Sequence, residues 1–158
     1  MATLVSVVLP VYNNQQYLIR CIESLRSQTL KEWEAICVDD GSTDDSGKIL
    51  DEISRKDARF KIIHQRNRGV ACARNTALEH VAAPYVTMLD SDDYLCSDAL
   101  EKMLIPIKDR AVEIVIASMA SKKKDGKISY SLPLLPPGLL DFKIEYFFVS
   151  FHPGPCAN

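Results

Sequence analysis

Leu4 to Leu9 is a valine-rich run, apolar on both of its faces and closed by Pro10. A strand of that kind is buried on two sides, as in a parallel sheet. Parallel neighbours require a crossover between them, normally a helix. The next residues meet that requirement. Tyr17, Leu18, Cys21, Ile22 and Leu25 have the spacing of an amphipathic helix, and Asn13 or Asn14 can cap its start. Glu34 to Val38 reads as a second strand, ending at Asp39-Asp40. Ser42 and Asp45 resemble a capping box ahead of a helix whose apolar face is Ile49, Leu50 and Ile53. Phe60 to His64 is a third strand. The polar loop Gln65 to Gly69 then leads to a helix carrying Ala73, Ala77, Leu78 and Val81. Pro84 closes that connection, and Tyr85 to Leu89 is a fourth strand. Leu100, Met103, Leu104 and Ile107 mark a short helix, strained or ended near Pro106, and Ile114 to Ala117 a fifth strand.

Strand and helix therefore alternate through about residue 117. The expected fold class is α/β, an α/β/α sandwich with a mostly parallel central sheet and right-handed crossovers. Residues 1–117 form one unit in this reading, and 118–158 a partial segment or irregular tail. Leu132 to Gly138 is proline-rich and reads as a loop. Phe142, Ile144, Tyr146 and Phe148 alternate, but Phe147 and Val149 break the pattern. The full length of 158 residues suffices for one domain with a real core.

A net charge of -2 gives no global basic field for nucleic acid. The one basic run, Lys122-Lys123-Lys124 with Lys127, reads as a solvated hairpin tip. The 5 cysteines are odd in number and contain no C-x-x-C pair. Cys21 and Cys37 fall on apolar positions, as small buried hydrophobes in a reducing compartment rather than a disulfide frame or zinc site. His64, His80 and His152 stand in no triad or metal spacing. The N-terminus lacks a basic n-region, and no apolar run is long enough to span a bilayer. A cytoplasmic location is expected, with peripheral membrane association left open.

In a parallel sheet every strand ends on the same edge, and ligands bind there. The segments at that edge are Pro10-Val11-Tyr12-Asn13, Asp39-Asp40-Gly41-Ser42, Gln65-Arg66-Asn67-Arg68-Gly69 and Asp90-Ser91-Asp92-Asp93. Carboxylates from two distant segments thus converge and raise one another's pKa. A divalent cation relieves this, and hard oxygen ligands suit Mg²⁺ or Mn²⁺. Such an ion needs only one or two carboxylates when phosphates and waters complete its shell. Turn formation and helix capping compete as readings of Asp39 and Asp40, and suffice for Asp44 and Asp45. Three acids in four residues directly after a buried strand exceed what capping requires. Arg66, Arg68 and Arg74 lie on the same side, where a guanidinium matches a phosphate.

Two look-alikes fail. Gly41 to Ile49 resembles a P-loop, but five residues separate Gly41 from Gly47 where four are required, and Ile49 replaces the metal-binding Ser or Thr. No G-x-G-x-x-G follows the first strand. A receiver domain would want acids where Pro10-Val11-Tyr12-Asn13 stands.

Four segments together resemble the family-two glycosyltransferases, which have the GT-A fold. They are Val7 to Asn13, Val38 to Asp44, Asn67 to Asn75 and Leu89 to Asp93. The resemblance implies that Pro10 and Tyr12 line a nucleobase pocket. It implies that Asp40, with Asp39 beside it, accepts a hydrogen bond from the base, uracil in many members. Asn67 and Arg74 would face the nucleotide, and Asp90 the ribose, with Ser91 between. Asp92 would hold Mn²⁺ or Mg²⁺ against the diphosphate, and Asp93 would support the loop. Members of the family continue into an acceptor-binding half that supplies a catalytic carboxylate. Here Asp141 and Glu145 are the only acids after Gly126, and neither stands in a recognisable base motif. The expectation is a fragment, a truncated gene product or a partner-dependent subunit.

The function expected is inverting transfer of a sugar, from a metal-bound UDP-type donor to the hydroxyl of a glycan or lipid-linked acceptor. The rival is a non-catalytic nucleotide-sugar-binding module that lacks the base. A nucleotidyltransferase is remote, because no glycine-rich loop follows the first strand.

Overall fold

A computed structural model describes residues 2–110, 119–122 and 128–131 of the chain. They fall in two compact units, the first ending at Glu101 and the second starting at Lys102.

The first unit is built on four parallel strands, β1 (Val5–Val11), β2 (Trp33–Asp39), β3 (Phe60–His64) and β4 (Tyr85–Met88), in the order β3-β2-β1-β4. Helices α1 (Gln15–Arg26), α2 (Ser46–Lys56) and α3 (Val70–Leu78) connect them. β1 and β2 are buried at every position. That is the two-sided burial their composition requires. β1 runs past Pro10 to Val11 instead of closing there. Its ladder with β4 ends at Val8 opposite Met88, so Pro10 has no β4 neighbour whose hydrogen bond it could break.

Chain order sets the layers. The crossovers β1-α1-β2 and β2-α2-β3 step the same way, so right-handedness puts α1 and α2 on one face. β3-α3-β4 steps back over β2 and β1, which puts α3 on the other. Ala73 and Ala77 of α3 accordingly pack with Val8, Ile36 and Val38. Small residues there let the helix approach the sheet closely.

Helix starts differ from the capping expected. Asn14 is the N-cap of α1 and Asp45 that of α2, and neither makes a side-chain cap hydrogen bond. One carboxylate serves both helices: Asp44 accepts from Ser46 N at 2.9 Å and from Gln15 N at 3.1 Å. Asp45 pairs with Lys48 instead, and Ser42 Oγ accepts from Asn13 N at 3.0 Å. Cys21 and Cys37 are buried free thiols, as expected.

Helix α4 (Ala99–Arg110) continues through Pro106 rather than ending there. The second unit also holds the antiparallel pair β5 (Met119–Lys122) and β6 (Ile128–Ser131), with Lys122 opposite Ile128. The expected strand 114–117, the remainder of the lysine run, and segments 132–138 and 142–149 lie outside the described residues. No helix among the described residues is long and apolar enough to cross a membrane.

Candidate functional site

Successive strands run outward from β1 to β3, then the chain jumps back to β4 on the far side of β1. The loops after β1 and β4 part at this switch point, where open α/β sheets bind ligands. A cleft of about 550 Å³ opens there. It is lined by Pro10 near the end of β1, Tyr12 after β1, Asp40 after β2, Asn67 after β3, Arg74 of α3, and Asp90, Ser91 and Asp92 after β4. Val11, Gly69, Val70 and Ala73 complete the lining. Val11 and Gly69 belong to the segments expected at this edge, whereas Val70 and Ala73, apolar residues in the first turns of α3, read as packing. Val70, in the first turn of α3, is 53% exposed, which the structure alone shows.

Asp39 does not line the cleft. Successive residues of a strand point to opposite faces, so Asp39 and Asp40 diverge. Asp39 accepts from Ser42 N at 3.0 Å, and its Oδ2 lies 2.9 Å from His64 Nδ1. His64 Nε2 lies 3.1 Å from Asp51 Oδ1. With a carboxylate on each nitrogen, both nitrogens donate only in the imidazolium form. Asp39 first, then Asp51, holds the His64 pKa above its ordinary value. Gly47 makes room for this group: a Cβ there would lie 2.9 Å from Asp39 Oδ2.

Asp40 is buried, and its charge is met by three donors. Gln65 Nε2 donates at 2.7 Å, Arg68 N at 2.9 Å and Gly69 N at 2.8 Å. The carboxylate thereby fixes the loop that carries Asn67. Gly41 lies against the same loop, in the left-handed region at φ 73°. Asn13 also has positive φ, 47°. Its Oδ1 accepts from Thr43 N at 2.7 Å and Asp44 N at 3.3 Å, which ties the turn after Tyr12 to the loop after Asp40.

The acidic loop is exposed at Asp90 and Asp92 and buried at Ser91. Asp93 N donates to Asp90 O at 3.0 Å, closing a turn. Burial raises the Asp93 pKa, and the charges of Asp92 and Asp90 raise it further. Beneath the loop, Cys21 is pushed up to about 12 by burial and then by Asp93, Asp92 and Asp90. Burial is the larger cause of both shifts, and the neighbouring carboxylates add to it. Among the described residues no three His, Cys, Asp or Glu side chains converge as a metal cage. The donors instead fit an oxygen-seeking divalent ion held by one or two carboxylates and completed by a phosphate ligand.

A parallel sheet with four loop segments meeting at its switch point, one of them acidic, is the arrangement of the GT-A fold of glycosyltransferases. The chain belongs to glycosyl transferase family 2, whose description "Glycosyl transferase family 2" matches residues 6–157. It is 38% identical over 119 residues to glycosyltransferase GlyG of Streptococcus pneumoniae, covering 75% of this chain and 40% of that protein. It is 40% identical over 117 residues to glycosyltransferase GlyA of the same organism, covering 74% of this chain and 17% of that protein. The chain therefore spans less than half the length of these relatives. Among solved structures, S. aureus TarS 1-349 in complex with UDP-GlcNAc aligns with TM-score 0.65 and 31% identity, over 69% of this chain and 32% of that one.

Proposed function

We propose that this chain binds a UDP-sugar through a divalent metal at Asp92, as the donor-binding part of an inverting glycosyltransferase. The observation that carries the reading is the single cleft shared by Pro10, Tyr12, Asp40, Asn67, Arg74, Asp90, Ser91 and Asp92. Tyr12, 49% exposed, offers an aromatic face to the base. Asp40 fixes the loop beside the base, and Asn67 on that loop faces the nucleotide. Asp39 acts on the base side only through the loop it braces. Asp90 reaches the ribose, and Arg74 brings positive charge toward the diphosphate. Mn²⁺ or Mg²⁺, when bound, stabilises charge building on the leaving diphosphate as a Lewis acid. The binding of UDP-GlcNAc by the related TarS structure supports a uridine donor.

Inverting displacement needs a carboxylate that takes the acceptor proton. In the cleft, Asp40 is occupied by three donors, Asp90 is paired with Arg74, and Asp92 is assigned to the metal. This favours, as a second reading, a module that holds the donor while transfer to a glycan or lipid-linked hydroxyl depends on a base elsewhere.

Calorimetric titration of UDP with and without Mn²⁺ tests the first reading on wild type and Asp92→Ala. Binding that requires Mn²⁺ and is lost in the variant is expected. Metal-independent binding, or equal binding by the variant, overturns the metal assignment. Incubation with UDP-sugars and acceptors separates the readings, and slow or absent UDP release is expected from this chain alone.

A further inference from the structure

Asparagine is among the strongest N-cap residues, because its side chain can accept from the first free N–H groups of a helix. Asn14 occupies that position in α1 and does not use it, among the described residues. Its Nδ2 donates instead to Ser91 Oγ at 2.7 Å, across a separation of 77 residues. The helix start is served from outside, by Asp44 Oδ2 on Gln15 N. Asn14 N donates to Ser46 Oγ at 3.0 Å, which fixes the backbone from which the amide reaches.

Ser91 needs such a contact. It is 5% exposed and sits between the two exposed carboxylates of the acidic loop. β4, from which the loop springs, pairs with β1 alone among the described residues. α1 supplies the missing support along one face. Cys21 Sγ donates to Asp90 O at 3.7 Å, Ser24 Oγ accepts from Leu95 N at 3.1 Å, and Gln28 Nε2 donates to Cys96 O at 2.7 Å. Cys21 and Ser24 follow Asn14 at helical spacing on one side of α1, and Gln28 lies just past its C-terminal end. Of the four, Asn14 alone bonds a side chain of the acidic tripeptide.

We infer that Asn14 is a positioning residue, its amide diverted from capping α1 to holding Ser91, and that it thereby sets where Asp90 and Asp92 present their carboxylates. For its ligand this rests on the donor reading above; for the order of the loop it rests on the chain alone.

Asn14→Ser separates the two roles, since serine caps a helix as well but is too short to reach Ser91. In the full chain, melting temperature is expected to hold or rise. Amide exchange at residues 91–93 is expected to quicken roughly five- to tenfold while α1 stays protected, the scale of one lost hydrogen bond. UDP affinity in Mn²⁺ is expected to fall by a similar factor. Ser91→Ala is expected to match it, and the double variant to be no worse than either single one. Wild-type exchange in Asn14→Ser, or faster exchange throughout α1 with a lowered melting temperature, overturns the inference. If UDP binding by wild type ignores Mn²⁺, the donor reading falls, and the exchange data still decide the role of Asn14.

Discussion

Arg74 donates from Nη2 to Oδ1 of Asp90 at 2.6 Å, joining α3 to the acidic loop. Asp90 is about half exposed, and such pairs add only ~0–1 kcal/mol to stability. Arg74 Nε is buried without a partner among the described residues, so the guanidinium has donor capacity to spare. Arg74→Ala is therefore expected to shift stability by less than about 1 kcal/mol and to weaken UDP binding about tenfold. Arg74→Lys is expected to restore little, because an ammonium lacks the planar fork. Thermal melts and UDP calorimetry on both variants check this. A large loss of stability with unchanged binding would contradict it.

The pair His64 and Asp39 predicts a pH dependence. The folded pKa of His64 is raised, by Asp39 first and Asp51 second, above the ordinary value of 6.5. A raised folded pKa contributes stability that is fully present below the unfolded value and lost as pH rises through the folded one. Melting temperature is thus expected to fall as pH is raised from 6 to 9, and more for wild type than for His64→Gln. His64 and Asp51 are both about half exposed, so added salt should shrink the difference. Parallel pH profiles for the two proteins would remove His64 as the cause.

Gly41 predicts a coupled loss of folding and binding. A Cβ there would lie 2.8 Å from Asn67 N, on backbone that cannot give way as a side chain can. Its φ of 73° adds strain for any residue with a Cβ, about 1–2 kcal/mol. Gly41→Ala is expected to lower stability by roughly 2 kcal/mol and to displace Asn67 from the cleft. Urea unfolding and UDP titration measure the two effects. Gly69 is the control: its φ is 85°, but nothing lies within 4 Å of its Cβ position, so strain acts there without the clash.

The first two strands were readable because burial on two faces leaves a continuous apolar run, as in Val5–Val11. The segments reaching the cleft were readable for a related reason, since parallel strands all end on one edge. Which neighbour of a pair turns inward was not readable. Asp39 and Asp40 have the same chemistry, and only the pleat decides that Asp40 reaches the cleft while Asp39 meets His64. Nor did local spacing reveal that Asn14 bonds Ser91, or that Asp44 serves two helix starts. Those partners lie far along the chain, and a capping rule sees only the next few residues. His64 was passed over for the same reason: its partners, Asp39 and Asp51, are 25 and 13 residues away.

Glu34 carries the last prediction. It is 5% exposed in the sheet, and a carboxylate there must be paired. Ser6 Oγ donates to it at 2.7 Å, Ala82 N at 3.3 Å, and Lys61 Nζ pairs with it at 2.6 Å. Burial alone would raise its pKa, but the hydrogen bonds from Lys61, Ser6 and Ala82 outweigh burial and lower it below 4.5. A depressed carboxylate pKa gives stability that is present above the unfolded value and lost as pH falls through the folded one. Glu34→Ala strands the Ser6 hydroxyl and the Ala82 N–H, and is expected to cost roughly 2–4 kcal/mol at pH 7. Glu34→Gln keeps an acceptor for Ser6 and Ala82, and is expected to cost less. Because glutamine cannot titrate, that variant should also lose less stability between pH 7 and pH 3 than wild type. Urea unfolding at both pH values tests this. Equal acid losses in wild type and Glu34→Gln would mean that the buried carboxylate does not set the acid limit of the fold.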